Sequence, residues 1–197
     1  MKKNTLLLSL ALTLSMALAG CGILKQLEGA YRMSECQYSY HSLTQLSLAG
    51  VDLSKGATLA VVPKVLNIIN GNETTIPISF NLQLDVYNPN ASEAFMQGVD
   101  YILHIDNVQF AAGKLNQALN IPAKGLQQLS LGIGFDLRTI MRSDAKDAVL
   151  NAIYNLVGLT KQASNITIQL RPSFLIGNQP IPAPAYIPVS FTFGGGK

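Results

Sequence analysis

The reactive side chains of this sequence are few, because it has two cysteines, two histidines and no tryptophan. Cys36 is followed by His41, and a thiol beside an imidazole is the pairing of a cysteine nucleophile with its general base. However, Cys36 alternates with Tyr38 and Tyr40, which predicts a strand that places His41 on the opposite face. We therefore interpret Cys36 as a buried structural cysteine without a catalytic role.

His104 belongs to a second candidate site. Asp100, His104 and Asp106 share one face of a predicted strand, and two carboxylates around an imidazole can bind a metal ion. Alternation alone places these residues side by side on a solvated face, so their proximity does not require a metal. The sequence thus predicts neither a metal site nor a cofactor.

Known catalytic motifs are missing from the sequence. It contains no G-x-S-x-G nucleophile elbow, no phosphate-binding loop and no H-E-x-x-H pair of metal ligands. An enzyme built on this fold would have to work without any of these arrangements. We therefore expect a protein that is not an enzyme.

The first 21 residues have the features of an export and lipid-attachment signal. Lys2 and Lys3 precede an apolar run from Leu6 to Leu18, which is shorter than the roughly 20 residues of a membrane-spanning helix. The run ends in Leu18-Ala19-Gly20-Cys21, which resembles the lipobox of bacterial lipoproteins. That resemblance implies diacylglyceryl transfer to the Cys21 sulfur, cleavage before Cys21 and acylation of the new amine.

Processing at this site would divide the chain into four parts. These are a signal peptide at residues 1–20, a lipidated tether at residues 21–35, one domain at residues 36–193 and a tail at residues 194–197. The protein is then expected in the bacterial cell envelope, bound to a membrane through its N-terminal lipid. The residue that follows Cys21 is Gly22 and not an aspartate. This favours the outer membrane, facing the periplasm, over the inner membrane.

Composition limits the partners of the processed chain. Loss of Lys2 and Lys3 leaves 12 of the 14 basic side chains, against 11 acidic ones. A near-neutral chain lacks the basic footprint of nucleic-acid-binding proteins, so nucleic acid is not an expected partner. The length suits one domain with a substantial core.

The clearest secondary-structure element is a strand within residues 78–90. Apolar and polar side chains alternate there with a period of two, which is typical of a half-buried strand. The strand ends at Asn88-Pro89-Asn90, where Pro89 has no N–H to donate and asparagine side chains can bond their own backbone in a turn. The residues predicted to form the core are Phe80, Leu82, Leu84, Val86, Leu131, Ile133 and Phe135.

Further strands are predicted along the chain, with turns between them. They cover residues 36–41, 43–53 in two pieces joined at Gly50, 99–105, 108–112 closed by Gly113, 129–137, 166–170 and 189–193. Residues 58–70 are predicted as a short helix or an irregular connection, and residues 114–125 mostly as a connection. Gly132 and Gly134 share one strand face, which indicates bending or the close approach of another element. Prolines between residues 180 and 188 predict a stiff loop that feeds an edge strand, with a polyproline ligand as the alternative.

One amphipathic helix is predicted from Asp144 to Val157. Apolar residues, about half of them alanine, recur at the i, i+3, i+4 spacing of a buried stripe. Ser143 is the expected N-cap and Gly158 the expected C′ residue. The element order as a whole predicts a mostly β protein, an antiparallel immunoglobulin- or fibronectin-III-like β-sandwich with one inserted α-helix.

Residues 78–193 resemble the globular late-embryogenesis-abundant family, the water-stress and hypersensitive-response (WHy) domain. The resemblance rests on the strand end at Leu84 to Asn90, the paired strand Val99 to Ile105, the Ala112-Gly113 turn, the Ile121-Pro122-Ala123 lead-in, the strand Leu129 to Leu137, the helix, and Tyr186-Ile187-Pro188-Val189. It implies a fibronectin-type-III-like sandwich that is not known for catalysis.

Three functional classes remain on these grounds, of which the third, an enzyme on a sandwich scaffold, lacks any motif. The first is a membrane-anchored lipoprotein whose non-catalytic LEA/WHy-like domain serves interaction with a protein partner or envelope stress protection. The alternative is a periplasmic carrier of an apolar ligand or lipid, held in a groove between the helix and the strand that carries Gly132 and Gly134.

Overall fold

Antiparallel β-structure dominates the computed structural model, which describes residues 28–29, 31–56, 58, 60–141, 146–156, 158–160, 162–176 and 179–194. The strands are β1 (Gln37–Leu48), β2 (Val51–Asp52), β3 (Pro77–Tyr87), β4 (Ala94–Met96), β5 (Gly98–Ile105), β6 (Val108–Leu115), β7 (Leu119–Ile121), β8 (Leu126–Asp136), β9 (Ala163–Ile176), β10 (Gln179–Pro182) and β11 (Ile187–Gly194). The helices are α1 (Val62–Asn70), α2 (Leu137–Met141) and α3 (Lys146–Leu156). A mostly antiparallel β fold, as the sequence predicts, is confirmed.

The first sheet has the strand order β2-β1-β3-β8. Its centre is β3, the strand with the clearest alternation, which pairs with β1 on one side and with β8 over its whole length on the other. Ala49 and Gly50 both have positive φ and form the tight turn between β1 and β2. The two strand pieces predicted around Gly50 are therefore confirmed.

The second sheet has the order β10-β9-β5-β6, and β11 also pairs with β9. The long strand β9 accommodates both neighbours along one edge, because β11 pairs with residues 163–170 and β10 with residues 173–176. Pro180 and Pro182 lie within β10 itself. The predicted loop that feeds an edge strand is thus an edge strand in its own right.

The core lies between the two sheets and is lined by the inward faces of both. Six of the predicted core residues are buried: Phe80, Leu82, Leu84, Val86, Leu131 and Ile133. Phe135 is only partly buried, because it lies near the end of an edge strand. It packs edge-on against Phe110 of β6, while Tyr40 of β1 stacks on Phe191 of β11. Aromatic pairs therefore join the sheets along both sides.

The helices lie at one end of the sheets, and the prediction of a single inserted helix is incomplete. Helix α1 forms although Pro63 argues against it, because proline is tolerated in the first turn, where its missing N–H has no intrahelical partner. Gly158, the predicted C′ residue, follows helix α3 with a φ of 75°, the left-handed conformation that favours glycine. The predicted N-cap, Ser143, lies outside the described residues.

Two local predictions fail in the segment that follows β5. Gly113 does not close a strand, since β6 continues through it to Leu115. Residues 114–125 are not only a connection, because β7 forms there and pairs with β4. Gly113 stands opposite Tyr101 of β5, and a Cβ at Gly113 would come within 2.5 Å of the Tyr101 hydroxyl. The glycine thus makes room for an aromatic ring from the neighbouring strand.

Replacing Gly113 with alanine is expected to lower the free energy of unfolding by about 1–3 kcal/mol, because the new methyl group overlaps the Tyr101 ring. Urea denaturation followed by circular dichroism measures the change. Gly132→Ala is the matched control, since the nearest atom to its added Cβ is Asn81 Oδ1 at 3.5 Å. We expect that control to change stability by no more than about 0.5 kcal/mol. Equal losses in the two variants would contradict the explanation.

Candidate functional site

Cys36 is buried and poorly suited to nucleophilic chemistry. Burial, together with the negative charge of Glu35, raises the pKa of the Cys36 thiol to about 11, so the reactive thiolate is scarce at neutral pH. Its Sγ donates to the carbonyl of Arg32 at 3.3 Å. His41 contacts a different group, Asp85, with 3.0 Å between Nδ1 and Oδ2. The structure therefore does not bring the thiol and the imidazole together.

Asp100, His104 and Asp106 are predicted to share one strand face, but the two carboxylates bind other residues. Arg171 binds Asp100 Oδ2 through Nη2 at 2.8 Å. Asp106 Oδ1 accepts the backbone N–H of Asn165 at 2.8 Å. Among the described residues there is also no group of three or more His, Cys, Asp or Glu side chains that could hold a metal. Ion pairing and strand pairing account for both carboxylates.

The stripe of small residues on α3 faces the core. Val149, Ala152 and Ile153 are buried and belong to the main hydrophobic cluster. Gly132 and Gly134 lie on the exposed outer face of β8, where a shallow groove of about 270 Å³ runs over them. The stripe and the glycines therefore do not enclose the groove that an apolar-ligand carrier would need.

Asn88 is the most extensively bonded side chain of the Asn88-Pro89-Asn90 motif. It is fully buried, and its Nδ2 lies 2.8 Å from the carbonyl oxygen of Ser92 and 3.1 Å from those of Ile121 and Pro122. An amide has two hydrogens for these three acceptors, so one hydrogen is shared. Its Oδ1 accepts both the backbone N–H and the side-chain amide of Asn90, each at 3.0 Å. One side chain thus connects the end of β3 to the end of β7.

The backbone reinforces this connection. The Asn88 N–H donates to the Gly125 carbonyl at 2.9 Å, and the Lys124 N–H donates to the Asn90 carbonyl at 3.2 Å. The Lys124 ammonium also donates to the Pro89 carbonyl. The sequence contains a signal for the role of Asn88, because Asn88 continues the alternation of Leu84 and Val86 and therefore falls on the buried face.

Helical residues 31–35 pack on the domain just before β1. Met33 is fully buried, and its carbonyl accepts the Tyr38 hydroxyl at 2.9 Å. Burial raises the pKa of Tyr38, which keeps its hydroxyl protonated and able to donate. Arg32 forms an ion pair with Glu28 at 2.9 Å and donates to the Glu93 carbonyl at 3.3 Å. The predicted tether at residues 21–35 therefore includes residues that belong structurally to the domain.

Asn88, its backbone partners and residues 31–35 share one end of the two sheets, opposite helices α1, α2 and α3. At this end β1 begins, β3 ends and β8 begins, because Gln37 pairs with Tyr87 and Tyr87 with Leu126. The β9–β10 hairpin extends at the same end, since Gln97 donates to Ser173 directly before β5. We call this region the entry end and define it as residues 31–35, 88–96, 119–126, 172–176 and 179–187.

The entry end carries an apolar pocket that sequence reasoning missed. The pocket has a volume of about 320 Å³ and is lined by Tyr31, Ser34, Phe174, Ala183, Pro184, Ala185 and Ile187. Arg171 stands near it with its guanidinium 4.8 Å from the ring centre of Tyr186. No local pattern could reveal the pocket, because its walls come from the two ends of the described chain.

The predicted lipidation residue, Cys21, and the preceding Leu18, Ala19 and Gly20 lie outside the described residues. No described helix is long and apolar enough to cross a membrane.

Comparison with known proteins finds one matching family model and several solved structures with limited similarity. A family model described as late embryogenesis abundant protein matches residues 83–182. A search of curated proteins finds no match. A crystal structure of a protein from Archaeoglobus fulgidus is 12% identical, with a TM-score of 0.39, and the alignment covers 79% of this chain and 97% of that one. For a solution structure of a protein from Arabidopsis thaliana, the identity is 12%, the TM-score 0.41 and the coverage 81% and 83%. A solution structure of a candidate late embryogenesis abundant protein is 12% identical, with a TM-score of 0.38, and the alignment covers 89% of this chain and 86% of that one.

Proposed function

This chain belongs to the late embryogenesis abundant family, and from that premise we propose that it is a membrane-anchored lipoprotein of the bacterial cell envelope. Its domain, a fibronectin-type-III-like pair of sheets, acts there by interaction or by protection under stress, and not by catalysis. The match to residues 83–182 supports the identity of the domain. It does not reach the N-terminal residues, so the anchor rests on the sequence.

The observation that carries the anchor is the Leu18-Ala19-Gly20-Cys21 sequence at the end of an apolar run. Three acyl chains on Cys21 would hold the protein on a bilayer essentially permanently, whereas one chain gives only marginal binding. Gly22 in place of an aspartate supports the periplasmic face of the outer membrane as the location.

Three observations support a non-catalytic domain. The thiol of Cys36 is buried, with a pKa of about 11. The carboxylate of Asp100 is engaged by Arg171, and that of Asp106 by a backbone N–H. The thiol and the two carboxylates thus have structural explanations, whereas the buried Nδ1 of His104 has no hydrogen-bond partner among the described residues.

The carrier alternative receives less support. It needs a space between α3 and the strand with Gly132 and Gly134, but α3 packs its small residues into the core and the glycines face outward. We therefore favour the tethered interaction or protective domain.

The anchor is tested by replacing Cys21 with alanine. We expect Cys21→Ala to abolish incorporation of a labelled fatty acid and to leave the precursor uncleaved or the protein released from membranes. The matched control is Cys36→Ala, which removes the other cysteine and should leave the labelling unchanged. Acyl labelling that survives Cys21→Ala would overturn the lipoprotein assignment.

The protective role is tested in a strain that lacks the gene. The wild-type protein, but not Cys21→Ala, is expected to restore survival under osmotic or drying stress. Purified protein should hydrolyse generic ester, phosphate and glycoside substrates no faster than buffer alone. Hydrolysis above that background, lost on unfolding, would contradict a non-catalytic domain.

A further inference from the structure

Large apolar side chains are exposed mainly at the entry end. Of the four exposed large hydrophobic side chains in the described part of the chain, three lie there: Tyr31 (67% exposed), Leu126 (58%) and Ile181 (37%). The fourth, Leu66 (36%), lies on α1 at the opposite end. Exposed apolar groups gathered on one side mark a surface that contacts a partner or a membrane, whereas scattered ones need no explanation.

The apolar pocket makes this surface concave as well as hydrophobic. Tyr31 forms part of its wall, and Phe174 forms another part. Ile181 pairs in register with Phe174 across the β9–β10 hairpin, so the exposed isoleucine is next to the pocket. The surface is therefore continuous from residue 31 to the hairpin.

The length of chain between the lipid and the domain limits what can face this surface. Six residues, 22–27, separate Cys21 from Glu28, which is the first described residue. Each residue extends the chain by at most ~3.6 Å, so the seven steps from Cys21 to Glu28 span no more than about 25 Å. If Cys21 is acylated, as the proposed function requires, Glu28, which binds Arg32 of the entry end, stays within that distance of the bilayer.

The basic side chains at and beside this end are engaged within the protein, and the Lys124 ammonium donates to the Pro89 carbonyl. Arg32 is bound to Glu28, and Arg171 to Asp100. Tyr31 and Tyr186 each combine an apolar ring with a polar hydroxyl, which suits the boundary between lipid headgroups and hydrocarbon. Contact with a membrane here would rest on apolar and aromatic side chains more than on attraction to anionic lipid.

We propose that the entry end lies against the bilayer surface, with Tyr31 and Ile181 in the interfacial region. The lipid surface covers the apolar face, and helices α1, α2 and α3 lie on the side away from the membrane. The inference rests on the proposed lipid anchor but adds an orientation that the anchor alone does not determine, because a flexible attachment would leave the domain free to rotate.

The absence of tryptophan from the chain provides a direct test. Ile181→Trp and Leu66→Trp each introduce one fluorophore at positions of nearly equal exposure, 37% and 36%, on opposite ends of the domain. The full-length, processed variants are reconstituted in phosphatidylcholine vesicles with brominated acyl chains. We expect quenching several-fold stronger at position 181 than at position 66, relative to vesicles without bromine.

Other results would overturn the orientation. Equal quenching at the two positions would show a domain without a preferred face. A blue-shifted but unquenched tryptophan at position 181 would indicate that protein, such as a second copy, covers the surface. If Ile181→Trp loses its circular dichroism spectrum, Tyr31→Trp serves in its place, because Tyr31 is the most exposed of the four.

The same preparations separate this inference from the proposed function. Mass spectrometry of the N-terminal peptide reports acylation of Cys21, and flotation reports attachment to vesicles. An acylated, vesicle-bound protein with an unquenched tryptophan at position 181 would overturn the orientation alone. A protein without acyl mass would overturn the anchor and the orientation together.

Discussion

Replacing Asn88 with alanine is expected to lower the free energy of unfolding by about 2–4 kcal/mol, since buried acceptors would lose their donor. The Nδ2 group of Asn88 donates to the carbonyls of Ser92, Ile121 and Pro122, and alanine supplies neither a donor nor an acceptor. Urea denaturation measures the loss. The variant should also increase amide exchange in β7, because the side chain links that strand to the end of β3.

Two further variants test the cause of this loss. Asn90→Ala removes one bond of the same motif, between its Nδ2 and Asn88 Oδ1, and should cost less than about 1 kcal/mol. Asn88→Asp places a carboxyl group beside the same carbonyls, so its folded-state pKa should lie above the ~3.9 of an unfolded aspartate. The unfolded chain then holds fewer protons between these two pKa values, and stability falls as the pH rises through that window. A pH-independent loss would contradict a donor role for the amide.

Leu84→Ala is expected to lower the free energy of unfolding by about 2–5 kcal/mol through the lost burial and the cavity left behind. Leu84 is fully buried at the centre of the first sheet and pairs with Leu129 of β8. Leu126→Ala is the matched control, because it removes a leucine from the same sheet at an exposed position. The control should change stability by no more than about 0.5 kcal/mol. Similar losses from both substitutions would mean that the burial assigned to β3 and β8 is wrong.

The strands that the sequence predicts well are those with one buried face over many residues. In β3, β5 and β8 the alternation continues long enough to define the register, and Leu82 and Leu131 are buried as expected. The alternation also determines the face of Asn88. What it does not contain is the identity of the carbonyls that the amide binds, because Ile121 is 33 residues away.

The missed elements depend on contacts that no local pattern records. Strands β4 and β7 have three residues each, too few to show a period, and they form because they pair with each other. Gly113 has the local signature of a turn, but the deciding contact is the Tyr101 ring on the neighbouring strand. The apolar pocket likewise needs Tyr31 and Phe174 side by side, at positions far apart in the chain. Short elements and surface sites are therefore decided by tertiary structure.

The prolines of β10 have a consequence for molecules that stand close together on a surface. Proline on an edge strand takes positions whose N–H would face solvent, so the outer side of β10 lacks donors at Pro180 and Pro182. An incoming strand would find acceptors there without the matching donors, which disfavours sheet extension from one molecule to the next. Lipid anchoring would confine copies to two dimensions and raise their local concentration. The proline-containing edge would then keep crowded neighbours separate and protect the envelope from β-aggregates.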